Sequence, residues 1–186
     1  MNSRGMKLEP DPDSPLLQEI LGPNLDLIVV GAAPSLLAAV RGHYYAGQRN
    51  RFWRLLHQAG LTPRELAAEE DARVLEYGIG LTAILPYIIS TDNSLLPEPT
   101  ERDRARLRDR LLSLRPGFIC YNGMDVWRMC MGDEKRRWGL QPDLLGESRQ
   151  FIVHSSSGRA DRWGADRLFL WRELKRHMDD ARAAGE

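Results

Sequence analysis

Residues 25–31 read LDLIVVG and run directly into AAPS at 32–35. A short aliphatic run rich in β-branched residues, closed by glycine and a proline-bearing turn, is the signature of a strand buried on both faces of a parallel sheet. The rest of the chain follows the same rhythm. Phe52, Leu55, Leu56 and Ala59 recur at helical spacing after Asn50, a good N-cap, and Gly60 ends the run. A second helix is predicted after Thr62 and Pro63, and a third over Glu69 to Glu76, stopped by Gly78. Ile79 to Leu85 reads as the next strand.

Between Pro86 and Pro99 the prolines and the Asp92-Asn93-Ser94 cluster mark a long loop, and such loops often carry function. Thr100 and Asp103 form a capping box for a charged helix whose inner face holds Leu107, Leu111 and Leu114, and Pro116 closes it. GFICYNG (117–123) is the third strand and its turn, Met124 to Met131 a helix, Gln150 to His154 the fourth strand, and Ala165 to Met178 the last helix. Alternating strands and helices predict an α/β fold, a three-layer αβα sandwich around a central, mainly parallel four-stranded sheet. Function is then expected at the carboxyl ends of the strands. Residues 1–14 read as a loose tail, 15–181 as one domain and 182–186 as a short C-terminal tail.

Composition narrows the class. With 42% hydrophobic and 28% charged residues the chain has the mixture of a globular protein, not of a disordered or membrane one. The apolar stretch from Leu25 to Ala39 is broken by Gly31 and Pro34, so no membrane span is expected, and the N-terminus lacks the pattern of a secretory signal. Cys120 and Cys130 make neither a disulfide framework nor a metal-ligand set, which fits a reducing cytoplasm, nucleoid-associated if the source is bacterial. The formal net charge of +0 excludes coating of nucleic acid by bulk electrostatics. Two basic windows stand out locally: Arg41, Arg49, Arg51 and Arg54, then Arg159, Arg162 and Arg167. By themselves such arginines read as solvated faces; two of them together could line a groove.

The loops after the predicted strands carry GAAPS, the TDNS cluster, YNG and HSSSGR, all directed to one sheet edge. GAAPSLLAAVRGHYYAGQRNRFWRLLHQAGL (31–61), YGIGLTAIL (77–85), CYNG (120–123) and WGLQPDLLGESRQFIVHSSSGRAD (138–161) resemble, in order and spacing, the thymine-DNA glycosylase and mismatch-specific uracil-DNA glycosylase family. The resemblance covers nearly the whole chain after Pro15. It implies an enzyme that flips uracil or a related deaminated or mismatched base, opposite guanine, out of double-stranded DNA and hydrolyses its bond to the sugar. No cofactor, metal or membrane is implied, and a monomer is the simplest form for work at one base.

In that family the first loop usually reads GINPG, and its asparagine holds the attacking water; the corresponding residue here is Ala33. The polar residue usual after the GIGLT string (78–82) is replaced by Ala83. GAAPS is instead similar to the GLAPA of other branches of the wider uracil-glycosylase superfamily, which draw a carboxylate from elsewhere. Positive charge builds on the sugar as the bond breaks, so a nearby anion suits the task. Asp92 is the candidate by position, with an Asx-turn or a solvated loop residue as the competing reading.

The resemblance places Tyr45 as the ring that stacks on the flipped base, with Tyr44 an adjacent candidate. Gly31, Ala32, Ala33, Pro34 and Ala83 would line the base site, with backbone N–H donors around Ala32, Ala33 and Tyr45 holding the departing base. HSSSGRAD is similar to the SSSAR segment of the thymine-specific branch, which puts Arg159 at the wedge that fills the vacated stack. Ser155 and Ser157, with Gly158, would meet the flanking phosphate or the scissile site, and Arg49 and Arg162 the DNA backbone. Related glycosylases use a histidine in this loop to steady charge on uracil; counting from Gly158 brings Ser155 rather than His154 into register, so His154 is read as structural or catalytic. Asn50, Phe52 and Trp53 read as cap and core anchors, and His57 as bland. No nucleophile elbow or phosphate-cradling loop is present. The rival reading is a lesion-recognising DNA-binding protein with weak or lost catalysis, motivated by Ala33 and Ala83.

Overall fold

A computed structural model describes residues 13–90, 92–132, 136–159 and 164–185. The strand opened by the LDLIVVG run is β1, Leu27–Gly31, and it lies inside the sheet with parallel partners on both sides. Its side chains split between two cores. Leu27 and Val29 pack with Phe52, Leu56, Trp171 and Leu174 on one face, while Ile28 and Val30 pack with Leu107, Leu111, Val126 and Trp127 on the other. Period-2 alternation with both faces covered gives the three layers directly.

The remaining strands are β2 (Ile79–Ala83), β3 (Phe118–Asn122), β4 (Gly139–Leu145) and β5 (Ser148–Val153). Their order across the sheet is β2-β1-β3-β5-β4. β2, β1, β3 and β5 run parallel, and β4 is antiparallel to β5. The sheet among the described residues therefore has five strands where four were predicted. β4 reads GLQPDLL, with only Gly139 and Gln141 buried and a register shift between Leu140 and Leu144. A half-exposed edge strand containing proline has no hydrophobic pattern to announce it. At the opposite edge, Ile20 forms a two-hydrogen-bond bridge with Leu81 (3.0 and 2.8 Å), so the N-terminal segment covers β2.

The α-helices are α1 (Leu36–Arg41), α2 (Phe52–Gln58), α3 (Glu101–Leu114), α4 (Met124–Met131) and α5 (Gly164–Ala183). α3 opens on the predicted Thr100/Asp103 capping box. α2 begins one residue later than a cap at Asn50 requires, yet the Asn50 Oδ1 still accepts from the Phe52 N–H at 3.0 Å. The helix predicted after Pro63 does not form. Thr62 does not cap one: its hydroxyl donates to the Arg64 carbonyl at 2.8 Å, and residues 61–67 follow an irregular path that buries Leu61 and Leu66. The predicted third helix is a 3₁₀ helix, Ala68–Tyr77, ending on left-handed Gly78. A single turn, Asn93–Leu95, structures the long loop after β2.

Candidate functional site

Four parallel strands end on one side, and the loops that leave them surround a cavity of about 420 Å³. Every predicted catalytic and base-site residue lines it: Gly31, Ala32, Ala33, Pro34, Tyr44, Tyr45, Ala83, Asp92, His154 and Ser155. Ser157 and Arg159 stand on the same wall, while Arg49 and Gly158 lie just behind. Arg162 falls outside the described residues.

The floor is laid by hydrogen bonds between neighbouring loops. Gly31 and Ala32 carbonyls accept from the Ile84 and Leu85 N–H groups at 3.0 and 2.9 Å, and the Pro34 carbonyl accepts from Ser90 at 2.7 Å. The first loop is thereby zipped to the second. Gly31 lies beneath Tyr45: a Cβ there would stand 3.3 Å from the tyrosine hydroxyl, so a side chain would crowd the ring.

Tyr45 adopts a left-handed backbone (φ 53°), an uncommon state for a residue with a Cβ, and its ring stacks on Phe52 with centroids 3.8 Å apart. One aromatic face is thus backed by the core while the ring borders the cavity. Its hydroxyl is buried beside Asn122 without a hydrogen bond of normal geometry, and burial raises its pKa. The unusual turn is pinned by Asp71, whose buried carboxylate accepts from the Tyr44 N–H at 2.8 Å and lies 3.2 Å from His43 Nδ1.

Sequence reasoning gave Asn122 no role. Only 5% exposed, it closes a reciprocal latch: its Nδ2 donates to Ser156 Oγ and its Oδ1 accepts from the Ser156 N–H, both at 2.9 Å. This latch fixes the β3 loop to the serine loop after β5, and the Arg51 N–H donates to the Ser156 carbonyl at 2.8 Å. Buried Arg167 of α5 adds a bond to the Ser157 carbonyl at 3.4 Å. Asn50 also lines the cavity, a placement its reading as a cap did not foresee.

Asp92 does make the Asx-type turn, accepting from the Ser94 N–H (3.0 Å) and hydroxyl (2.9 Å), and it also pairs with Arg159 across the cavity mouth. The Asx-turn reading is met, with one carboxylate oxygen holding the turn and the other meeting the guanidinium. Ser94 first, then Arg159, hold its pKa below the usual carboxylate range. Arg159 is 68% exposed, so its side chain can turn outward at little cost.

Gly158 packs against the backbone of Arg49: a Cβ would come within 2.7 Å of Arg49 Cβ and 2.9 Å of its carbonyl oxygen. Gly158→Ala is expected to destabilise the protein by about 1–3 kcal/mol, as overpacking does, with a matching fall in melting temperature. Unchanged melting would show that the two loops do not meet there.

His154 is 4% exposed, and burial lowers its pKa, with Asp166 opposing and Arg167 reinforcing the shift. A histidine whose folded pKa is depressed stabilises the fold above its unfolded pKa of about 6.5, and that contribution is lost as pH falls through the folded value. Melting temperature is therefore expected to fall more steeply on acidification in the wild type than in His154→Gln; parallel curves would contradict the shift.

A family model described as the uracil DNA glycosylase superfamily matches residues 19–175. Among solved structures, the chain is similar to the solution NMR structure of a candidate uracil DNA glycosylase from Methanosarcina acetivorans. The likeness has a TM-score of 0.59 and 21% identity, covering 88% of this chain and 96% of that one. At that identity it bears on the fold, a mainly parallel sheet between helical layers.

Proposed function

Because the chain belongs to the uracil DNA glycosylase superfamily, we propose that it excises uracil or a related deaminated base from DNA, preferentially opposite guanine, as the thymine/mismatch-specific branch does. The observation that carries this reading is the convergence of Tyr45, Asp92 and Arg159, from three separate loops, on one cavity beside Gly31. A base extruded from the duplex loses its stacking neighbours, and the exposed part of the Tyr45 ring returns some of that energy. Arg159 leaves Asp92 to enter the vacated stack, where a guanidinium can stack and donate. A wobble pair costs less to open than a Watson–Crick pair, which favours lesions opposite guanine.

In the chemical step the bond between C1′ and the base nitrogen breaks, and its electron pair leaves with the base. Backbone N–H groups around Ala32, Ala33 and Tyr45 hold the departing anion. The Asp92 carboxylate offsets the positive charge left on the sugar, and water adds its oxygen to C1′ while its proton passes, through solvent, to the released base anion. The protein acts as a monomer on one lesion.

A second assignment of the water-holding group rests on a specific observation. Ala33 lacks the amide usual in the first loop, but Asn50, whose Oδ1 also accepts from the Phe52 N–H, brings one to the cavity wall, while both Asp92 oxygens are engaged, one by Ser94 and one by Arg159. Single-turnover assays on U·G, T·G and U·A duplexes and on single-stranded uracil test the activity itself. Base release, fastest from U·G, is the expected result. Lesion-selective binding without release would make the protein a reader of damage, and neither binding nor release would refute both.

A further inference from the structure

The 3₁₀ helix that precedes β2 reaches back to the base site through one side chain. Among the described residues only Asp71 and Asp103 are buried acids, at 6% and 2% exposed. Asp103 serves the start of its own helix by accepting from Thr100. The carboxylate of Asp71 turns instead to a distant segment, accepting from the Tyr44 N–H at 2.8 Å and lying 3.2 Å from His43 Nδ1. Asp71 itself does not line the cavity.

The need for this carboxylate follows from how α1 ends. Past left-handed Gly42, the Gly42 and His43 N–H groups both return to the Ala38 carbonyl, at 2.9 and 3.2 Å. The next donor, the Tyr44 N–H, has left the helix and is buried. A buried N–H without a partner is costly, and Asp71 supplies the partner. Directly after this anchor comes Tyr45, with φ 53°. Glycine or asparagine would adopt that backbone more readily, yet a tyrosine stands there. Its ring is stacked on Phe52 and borders the cavity, beside a glycine, Gly31, that leaves it room. Downstream the chain is held again, where the Asn50 N–H donates to the Gly47 carbonyl at 2.8 Å. An uncommon backbone persists only where its surroundings hold it, and the hold on the N-terminal side of Tyr45 is the bond to Asp71.

Resting on the glycosylase reading above, we propose that Asp71 is a positioning residue for base release, acting through the placement of the Tyr45 ring rather than through contact with DNA. The ring serves only where the extruded base arrives. A shift of about 1 Å in such a group can slow an enzyme by as much as about a hundredfold, even when its cause lies away from the chemistry.

The test is single-turnover release from a U·G duplex by Asp71→Ala and Asp71→Asn, each alone and combined with Tyr45→Ala. Asp71→Ala is expected to slow release about tenfold, and by no more than Tyr45→Ala does. Asp71→Asn keeps an oxygen for the Tyr44 N–H and is expected to retain most of the rate. With Tyr45→Ala in place no ring is left to position, so adding Asp71→Ala is expected to bring no further loss. Full-rate release by Asp71→Ala overturns the inference, as does an Asn variant as slow as the Ala variant. Losses that multiply in the double variant overturn it too, since general damage to the fold acts whether or not the ring is there. Should Asp71→Ala fail to fold, Asp71→Glu, whose carboxylate is carried one methylene further, takes its place in the same cycle with the same expectations. A wild type that releases no base refutes the glycosylase reading itself, whereas release by the wild type with any of the contrary outcomes overturns this inference alone.

Discussion

Asp92→Asn is expected to bind lesion-containing duplex nearly as tightly as the wild type but to release base about 10²–10³-fold more slowly in a single turnover, the range seen when one group aimed at transition-state charge is removed. Asparagine keeps the size of the side chain and an oxygen for the Ser94 N–H, so the turn that displays Asn93–Leu95 survives. What disappears is the negative charge. The pair with Arg159 is lost as well, but Arg159 is largely solvated, and exposed pairs contribute little to stability. Because the carboxyl titrates below its usual range, wild-type activity attributable to Asp92 stays flat on mild acidification from neutral pH. Undiminished release by Asp92→Asn, together with a comparable collapse in Asn50→Ala, would move the assignment to Asn50.

Tyr45→Ala is expected to lower base release about 5- to 150-fold, the fold-change equivalent of the roughly 1–3 kcal/mol that base–aromatic stacking contributes. Phe52 is also uncovered by this change, since the two rings lie face to face. Tyr45→Phe separates the two effects. It keeps the ring and removes a buried hydroxyl that makes no hydrogen bond of normal geometry, so near-wild-type release and unchanged or higher stability are expected. A Phe variant as slow as the Ala variant would place the role in the hydroxyl beside Asn122 and refute stacking as the principal contribution.

The parallel core was legible because burial on both faces forces an aliphatic run, and LDLIVVG and GFICYNG have no other comfortable reading. The loops that follow such strands share an edge by topology, which is why Tyr45, Asp92, His154 and Arg159 were expected together and lie around one cavity. Asn122 escaped notice for the opposite reason. A single asparagine after a strand looks like a turn residue, and its value lies in the Ser156 backbone 34 positions away. β4 was hidden because an edge strand carrying Pro142 shows no hydrophobic alternation. Local punctuation also suggested a helix after Thr62 and Pro63, where the Thr62 hydroxyl bonds forward to the Arg64 carbonyl instead of capping one.

The way the sheet ends on either side bears on behaviour in crowded solution. One border is already occupied by the chain's own Ile20, and the other runs through Pro142, which has no N–H to offer, and an interrupted register. A second copy approaching side-on meets a ladder interrupted at Leu81 on one border and at Pro142 on the other, which disfavours edge-to-edge pairing.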